Sequence, residues 1–495
     1  MISLSDLSCI IVIFGGTGDL THRKLLPALY NLAHEDKLPD HYAVVSVGRR
    51  TKTQEEYRNE INNSVHLHTR FKPEDEKLKV FLNKIYYKKC EFSDSVSYAD
   101  LKIFLEDIDR KYETNGNRIF YMAVAPEYFN VIVSNIKAHE MARNLDSWQR
   151  LVIEKPFGRD LETARLLNKT ITNVFKEKDT YRIDHYLGKE MIQNIMVIRF
   201  ANTMFESIWS SKFIDNIQIS SSETVGIENR AGYFEKSGIL KDMVQNHMLQ
   251  LLTLTAMEPP VNLETEEIRD EKVKVIKALE KFNDFKVTEN VVRGQFGPGL
   301  INNKPVNGYR QEENVASNSN TETFMAIKLY VKNFRWGDMP FYIRTGKRLP
   351  QKTTEIVIEF KALPEILYFK DYGKLEPNLL VIRIQPSEGV SFRFNGKKPG
   401  TGNEIETVDM EYCQNCNIMN NSPEAYERLF FDLIRGDSTL FTRWDEIEES
   451  WKFVDRIAKA WEEKEPIFPN YDAGTWGPEE SDELLARDHR KWWNV

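Results

Sequence analysis

Cysteine is scarce in this chain: four residues in 495. So few thiols exclude the disulfide framework of a small secreted scaffold. Cys413 and Cys416 form a lone C-x-x-C. A structural zinc site wants about four ligands, so two ordinary thiols in a strand are expected, and no metal. Long apolar runs are also missing. The longest early one, Cys9–Phe14, has strand length, against the roughly 20 residues of a membrane helix. Met1–Leu7 lacks the positive flank and long apolar core of a signal peptide. No membrane partner and a cytoplasmic location are therefore expected. Positive charge is in deficit as well: 67 Lys and Arg face 75 Asp and Glu, a net charge of -8. That argues against a nucleic-acid partner, whose signature is a basic surface. It leaves room for a local basic pocket around a phosphorylated metabolite.

What is present is an ordinary globular balance, 41% hydrophobic and 29% charged, at a length that suits two or three domains. Over residues 1–184 strand-like runs alternate with helical patterns. The strands are expected at Cys9–Phe14, Tyr42–Val47, Ile85–Glu91, Arg118–Val124, Leu151–Glu154 and Tyr181–Ile183. Helical periods fall at Asp19–His34, Tyr98–Lys111, Glu127–Met141 and Leu161–Phe175. Such alternation predicts an α/β, Rossmann-like domain with a parallel sheet. Residues 185–495 read as a larger α+β domain. Helices near Lys189–Phe200 and Ile239–Met257 come first. Six strand-like runs between Thr323 and Tyr412 follow with no regular helices between them, which predicts a mainly antiparallel sheet. Helices return at Pro423–Ile434, Glu446–Lys464 and Glu479–Arg487.

Two stretches carry chemistry. The run from Ile10 through Gly15-Gly16-Thr17-Gly18-Asp19-Leu20 reads as a buried strand, a glycine turn and a helix start, the arrangement that lets a backbone approach a pyrophosphate. It is not a full G-x-G-x-x-G, because Thr21 stands where Gly or Ala is usual. The turn alone would also suit an ordinary strand-to-helix connection. Its place at the first strand of an α/β domain favours the nucleotide. The second strand ends in Gly48-Arg49-Arg50, with Lys52 close behind and no acid. An NAD site usually places Asp or Glu there, whereas an arginine fork matches the 2′-phosphate of NADP. A solvated basic turn remains the alternative. In the second stretch, Arg182-Ile183-Asp184-His185-Tyr186-Leu187-Gly188-Lys189-Glu190, Asp184 suits a helix cap and His185 and Lys189 are four apart, on one face of the helix expected there. That face offers cationic groups, with the Tyr186 hydroxyl beside them, to a phosphate. A capped surface helix is the bland reading.

With this segment the chain resembles the glucose-6-phosphate dehydrogenase family. The other marks stand in order: the glycine turn, Glu154-Lys155-Pro156-Phe157-Gly158, Asp242-Met243-Val244-Gln245-Asn246-His247, Arg293-Gly294-Gln295-Phe296-Gly297, Arg344-Thr345-Gly346-Lys347 and Gly474-Thr475-Trp476-Gly477-Pro478. The resemblance implies oxidation of glucose 6-phosphate at C1 with hydride transfer to NADP, the first step of the oxidative pentose phosphate pathway. It implies His247 as general base and Asp184 as its orienting partner. It implies His185, Tyr186 and Lys189 on the substrate phosphate, Glu223 and Asp242 on the sugar hydroxyls, and Lys347 and Lys352 as further substrate contacts. Lys155 would serve both substrate and cofactor. Gly15, Thr17, Gly18, Asp19, Leu20, Lys24 and Arg49 would hold NADP. A homodimer or a dimer of dimers is implied too. The C-terminal tail does not resemble those of relatives that hold a second, structural NADP, so no such site is expected. A cis Lys155–Pro156 bond fits the same resemblance, and Glu235 stands where the family usually has Asp. Chemistry agrees: hydride leaves C1 more easily as the hydroxyl loses its proton, so a base must sit at that oxygen. Taken alone, His247 in an apolar helical stretch would read as a core histidine.

Overall fold

The computed structural model describes residues 7–142, 147–364, 375–400, 402, 404–413, 423–462 and 464–494. Its contacts divide the chain into two compact units. One comprises Met1–Lys189, Leu263–Arg269 and Asn421–Glu448; the other comprises Glu190–Asn262, Asp270–Asn420 and Glu449–Val495.

The first unit is built on β1 (Cys9–Phe14), β2 (Tyr42–Gly48), β3 (Ile85–Lys89), β4 (Arg118–Met122), β5 (Gln149–Ile153) and β6 (Thr180–Ile183). All six run parallel, in the order 6-5-4-1-2-3, and Phe441–Thr442 adds an antiparallel edge beside β6. This is the doubly wound order, which reverses direction between β1 and β4 and opens a ligand crevice at their carboxyl ends. β1 and β2 are buried along their whole length, as expected of strands covered on both faces. The helix Ala425–Arg435 joins this unit through a buried carboxylate. Glu427 accepts from the Arg70 Nε on both carboxylate oxygens and from Nη2 on one, at 2.8–2.9 Å, and from the Asn31 amide at 2.9 Å. A carboxylate that deep is tolerated because it is paired.

The second unit carries an eight-stranded sheet. In spatial order its strands are Ile405–Cys413, Gly389–Lys397, Leu379–Gln385, Thr353–Phe360, Ile214–Ser222, Pro340–Gly346, Phe324–Tyr330 and Val291–Gly294. Every neighbouring pair is antiparallel except Ile214–Ser222 with Pro340–Gly346. The parallel pair is central, where both faces are covered. Cys413 is disulfide-bonded, which corrects the expectation of two plain thiols; Cys416 lies outside the described residues. Among the described residues no helix is long and apolar enough to cross a membrane.

Candidate active site

In the first unit the glycine turn sits at the point where the strand order reverses. Gly15 follows β1 with φ +94°, a conformation open to glycine. A Cβ on Gly15 would lie 2.0 Å from the Ala123 carbonyl oxygen, and one on Gly16 would lie 2.7 Å from the Ser46 Cβ. The Gly15 and Gly16 amides both donate to the Val47 carbonyl at 2.9 Å, while the Gly18 amide and the Thr21 hydroxyl both donate to the Gly15 carbonyl at 2.9 Å. The turn is thus bare of side chains and pinned from both sides. Thr17, Gly18 and Leu20 are half-buried and Asp19 is exposed at the start of the following helix. A dinucleotide pyrophosphate fits here: a helix N-terminus and no Cβ in the way at Gly15, Gly16 and Gly18.

At the end of β2, Arg49 is exposed. Its Nη1 donates to the Tyr128 hydroxyl at 3.0 Å, and its guanidinium lies 5.2 Å from the Tyr128 ring and 5.9 Å from the Phe92 ring. Lys52 pairs with Glu60, so Arg49 and Arg50 carry the positive charge of the strand end. Lys24 donates to the Glu424 carboxylate at 2.8 Å.

The Lys155–Pro156 bond is cis. Before it, Glu154 accepts from the Tyr121 hydroxyl at 2.6 Å and the Tyr426 hydroxyl at 3.3 Å. Burial pushes its carboxyl upward against those hydrogen bonds.

The segment after β6 departs from expectation. Residues 185–188 form turns, and the helix begins only at Glu190. The Asp184 carboxylate accepts the Tyr186 amide at 2.9 Å and its carbonyl accepts the Leu187 amide at 3.0 Å. The Asp184 side chain thus makes the expected capping bond, but the residues it caps form turns and not a helix, so the one-face, four-apart argument for His185 and Lys189 does not hold. The side chains gather by another route. The Lys189 ammonium lies 4.1 Å over the Tyr186 ring, and the His185 ring stands 5.2 Å from that ring.

In the second unit a charged cluster surrounds Asp242. The Lys347 ammonium donates to Glu223 at 2.5 Å and lies 4.0 Å from Asp242. Arg230 and the Tyr233 hydroxyl reach Asp242 at 3.4 and 3.5 Å. The helix expected over Ile239–Met257 is two elements: Leu240–Met248 is a π-helix and Leu249–Ala256 is α-helical. In an α-helix, residues five apart would stand about 140° round from one another at about 100° per residue. The i→i+5 repeat of a π-turn stacks them instead. Asp242 and His247 are five apart and both buried, so the π geometry places the two on one face.

Two family models match the sequence: the glucose-6-phosphate dehydrogenase NAD binding domain over residues 12–194 and the glucose-6-phosphate dehydrogenase C-terminal domain over residues 196–493. The chain belongs to the glucose-6-phosphate dehydrogenase family. The glucose-6-phosphate 1-dehydrogenase of Bacillus subtilis (strain 168) is 48% identical over 486 residues, 98% of each chain. That of Chlamydia pneumoniae is 47% identical, over 98% of this chain and 96% of its own. A solved glucose-6-phosphate dehydrogenase in complex with its substrate glucose-6-phosphate is 33% identical and superposes with a TM-score of 0.90, covering all of both chains.

Against the family's site pattern, the structure gathers Glu223, Asp242 and Lys347 through direct contacts. Lys352 stands exposed just before the strand Thr353–Phe360, and among the described residues no hydrogen bond or ion pair joins it to that cluster. Glu235, where the family usually has Asp, accepts from the Tyr309 hydroxyl at 2.5 Å and the Ser319 hydroxyl at 2.8 Å. Sequence reasoning missed Arg230, Tyr233, Tyr128, Glu424 and Tyr426. Arg230 and Tyr233 lie beyond the break at Gly238 (φ +58°), so no helical spacing relates them to Asp242. Tyr426 is 272 residues from Glu154.

Proposed function

We propose that this chain oxidises the C1 hydroxyl of glucose 6-phosphate to 6-phospho-D-glucono-1,5-lactone, with NADP as the hydride acceptor. The observation that carries the reading is the π-helix that holds Asp242 and His247 on one face while Asp242 is fixed by Lys347, Arg230 and Tyr233.

His247 takes the proton from the C1 hydroxyl. A histidine is substantially neutral near pH 7 and so can accept it. Asp184 holds the imidazole in the required tautomer and stabilises the imidazolium once formed. Glu223, Asp242 and Lys347 bind the sugar; a cluster already bonded, with Asp242 and Lys347 buried, arrives in position and needs little reordering. His185, Tyr186 and Lys189 hold the remote phosphate, whose binding energy orients C1. Lys352 makes a further, peripheral substrate contact. On the cofactor side Gly15, Thr17, Gly18, Asp19, Leu20 and Lys24 form the phosphate turn, Arg49 holds the 2′-phosphate, and Lys155 serves both ligands. When bound, NADP supplies the hydride acceptor. The functional boundary falls at 184/185, supported by the end of β6 at Ile183 and the start of the phosphate-binding segment directly after it. A homodimer is supported by the edge strand Ile405–Cys413, which exposes Val408, Met410 and Tyr412 on one face. An exposed apolar edge of that kind calls for a cover.

Initial rates of NADP reduction test the reading. Rates that depend on glucose 6-phosphate and drop sharply with unphosphorylated glucose are expected. Indifference to the phosphate would point to a free-sugar dehydrogenase, and no turnover with either to a cofactor-sensing protein.

A further inference from the structure

The helix Ala231–Ile239 breaks at Gly238, which has φ +58° and ψ −178°. The π-helix that follows, Leu240–Met248, therefore starts with its own unpaired amides. Its own flanking side chains do not cap it. Glu322 does so from a distant segment. The Glu322 backbone carbonyl accepts the Ile239 amide at 3.0 Å, and its carboxylate Oε1 accepts the Leu240 amide at 3.2 Å. A Cβ on Gly238 would lie 2.1 Å from that Oε1. The glycine thus leaves room for the carboxylate as well as permitting the kink.

The next residue, Thr323, leads to the other half of the cluster. Its carbonyl accepts the Lys347 amide at 2.9 Å. Lys347 lies 4.0 Å from Asp242, two residues beyond Leu240. The ring closes: Glu322 to Leu240, Leu240 to Asp242, Asp242 to Lys347, Lys347 to Thr323, and back to Glu322. The dipeptide Glu322-Thr323 is the piece that bonds both to the turn bearing Asp242 and His247 and to the strand end bearing Lys347.

We propose that Glu322 is a positioning residue: by capping the π-helix from the Lys347 side, it sets the spacing between Asp242, His247 and Lys347. The proposal rests on the reading above that these three residues bind and deprotonate the sugar. A glutamate suits the task because its side-chain oxygen reaches the Leu240 amide at 3.2 Å through the space that Gly238 leaves open. Glu322 itself has no part in the proton transfer. Its carboxyl is raised to about 7 by desolvation, opposed by the backbone amides and by Arg293 and Lys241.

The test uses the full chain and three substitutions. Glu322→Gln keeps an oxygen acceptor at the same reach. Glu322→Asp keeps the charge and withdraws it by one methylene. Gly238→Ala crowds the carboxylate from the other side and also strains the kink at φ +58°, so its thermal midpoint is read beside its kinetics. Since a misplacement of about 1 Å can cost about 100-fold, Glu322→Asp and Gly238→Ala should each lower kcat/KM for glucose 6-phosphate at least about ten-fold. The NADP dissociation constant, set by the glycine turn and Arg49, should stay within about two-fold. Glu322→Gln should remain within about three-fold of wild type. The inference is overturned if Glu322→Asp keeps the wild-type kcat/KM, if Glu322→Gln falls as far as Glu322→Asp, or if NADP affinity falls in parallel, which marks general disruption. Should Glu322→Asp fail to fold, Gly238→Ala and Glu322→Gln decide by the same criteria. A wild-type chain that does not turn over glucose 6-phosphate would instead refute the functional reading.

Discussion

Replacing Arg49 by alanine isolates the cofactor preference from everything else in the molecule. Arg49 is exposed, and its recorded contacts are the Tyr128 hydroxyl at 3.0 Å and the Tyr128 and Phe92 rings at 5.2 and 5.9 Å. Losing the ring contact at an exposed site costs about 0.5–1 kcal/mol, which bounds the effect on stability. Losing a charged hydrogen bond to the 2′-phosphate costs about 1.5–3 kcal/mol, or roughly 10- to 150-fold in NADP affinity. NAD has no 2′-phosphate, so its affinity should be almost unchanged. Arg49→Lys should fall between, because it keeps a point charge and loses the planar fork that lies against Tyr128. The assay is a pair of direct titrations, NADP and NAD, on the wild type and both variants, with the thermal midpoint as control. Equal losses for the two dinucleotides, or a collapse of the thermal midpoint, would refute the reasoning.

His247→Asn should leave both dissociation constants near wild type and lower kcat by roughly 10²–10⁴-fold, the usual contribution of a general base; retention of more than about a tenth of kcat would move the role elsewhere. Lys189→Ala should raise KM for glucose 6-phosphate while sparing KM for NADP, and unphosphorylated glucose should be indifferent to it. Gly15→Ala should cost at least about 1–2 kcal/mol from the left-handed backbone alone, and more from the 2.0 Å approach to the Ala123 carbonyl oxygen; calorimetry checks it. Glu322 has a pKa near 7 in the folded chain against an ordinary value of 4.5, so the folded state holds the proton longer than the unfolded one. Its contribution to stability is therefore full below pH 4.5 and lost as the pH rises through about 7. Glu322→Gln should flatten the decline of the thermal midpoint across that window, and an unchanged slope would refute it.

The first sheet was legible because its central strands β1, β2 and β4 are short runs buried along their whole length, and a strand covered on both faces leaves that trace. The central strand of the second sheet was not. Ile214–Ser222 reads Ile-Asp-Asn-Ile-Gln-Ile-Ser-Ser-Ser, too polar to mark a strand. Its buried polar groups are bonded instead: Gln218 donates to the Lys491 carbonyl at 2.9 Å and Ser222 to the Gln351 carbonyl at 2.7 Å. Partners more than a hundred residues away leave no local signal. Asp184 does take the Tyr186 amide as a cap would, but the turns it opens do not run into a helix until Glu190, and nothing in the local composition marks that delay. The π-turn was invisible for a similar reason. Leu240–Met248 has an ordinary helical composition, and the Glu322 carboxylate that accepts its first amide comes from 82 residues away.

Lys24 shows how sequence and geometry can differ without conflict. The glycine turn makes it a candidate for a cofactor phosphate, yet the structure pairs it with Glu424 at 2.8 Å. Both side chains are nearly half exposed, 47% and 44%. A pair so solvated is worth about 0–1 kcal/mol, less than the roughly 1.5–3 kcal/mol of a charged hydrogen bond. A dinucleotide phosphate arriving at the turn can therefore take Lys24 from Glu424 at little cost. The contrast is Arg70 with Glu427, 8% and 1% exposed, where breaking a buried pair costs about 3–5 kcal/mol. These two pairs meet the same returning segment, Glu424 to Glu427, and differ mainly in depth. The deep pair fastens the helix Ala425–Arg435 to the Rossmann unit; the shallow one leaves Lys24 nearly half exposed.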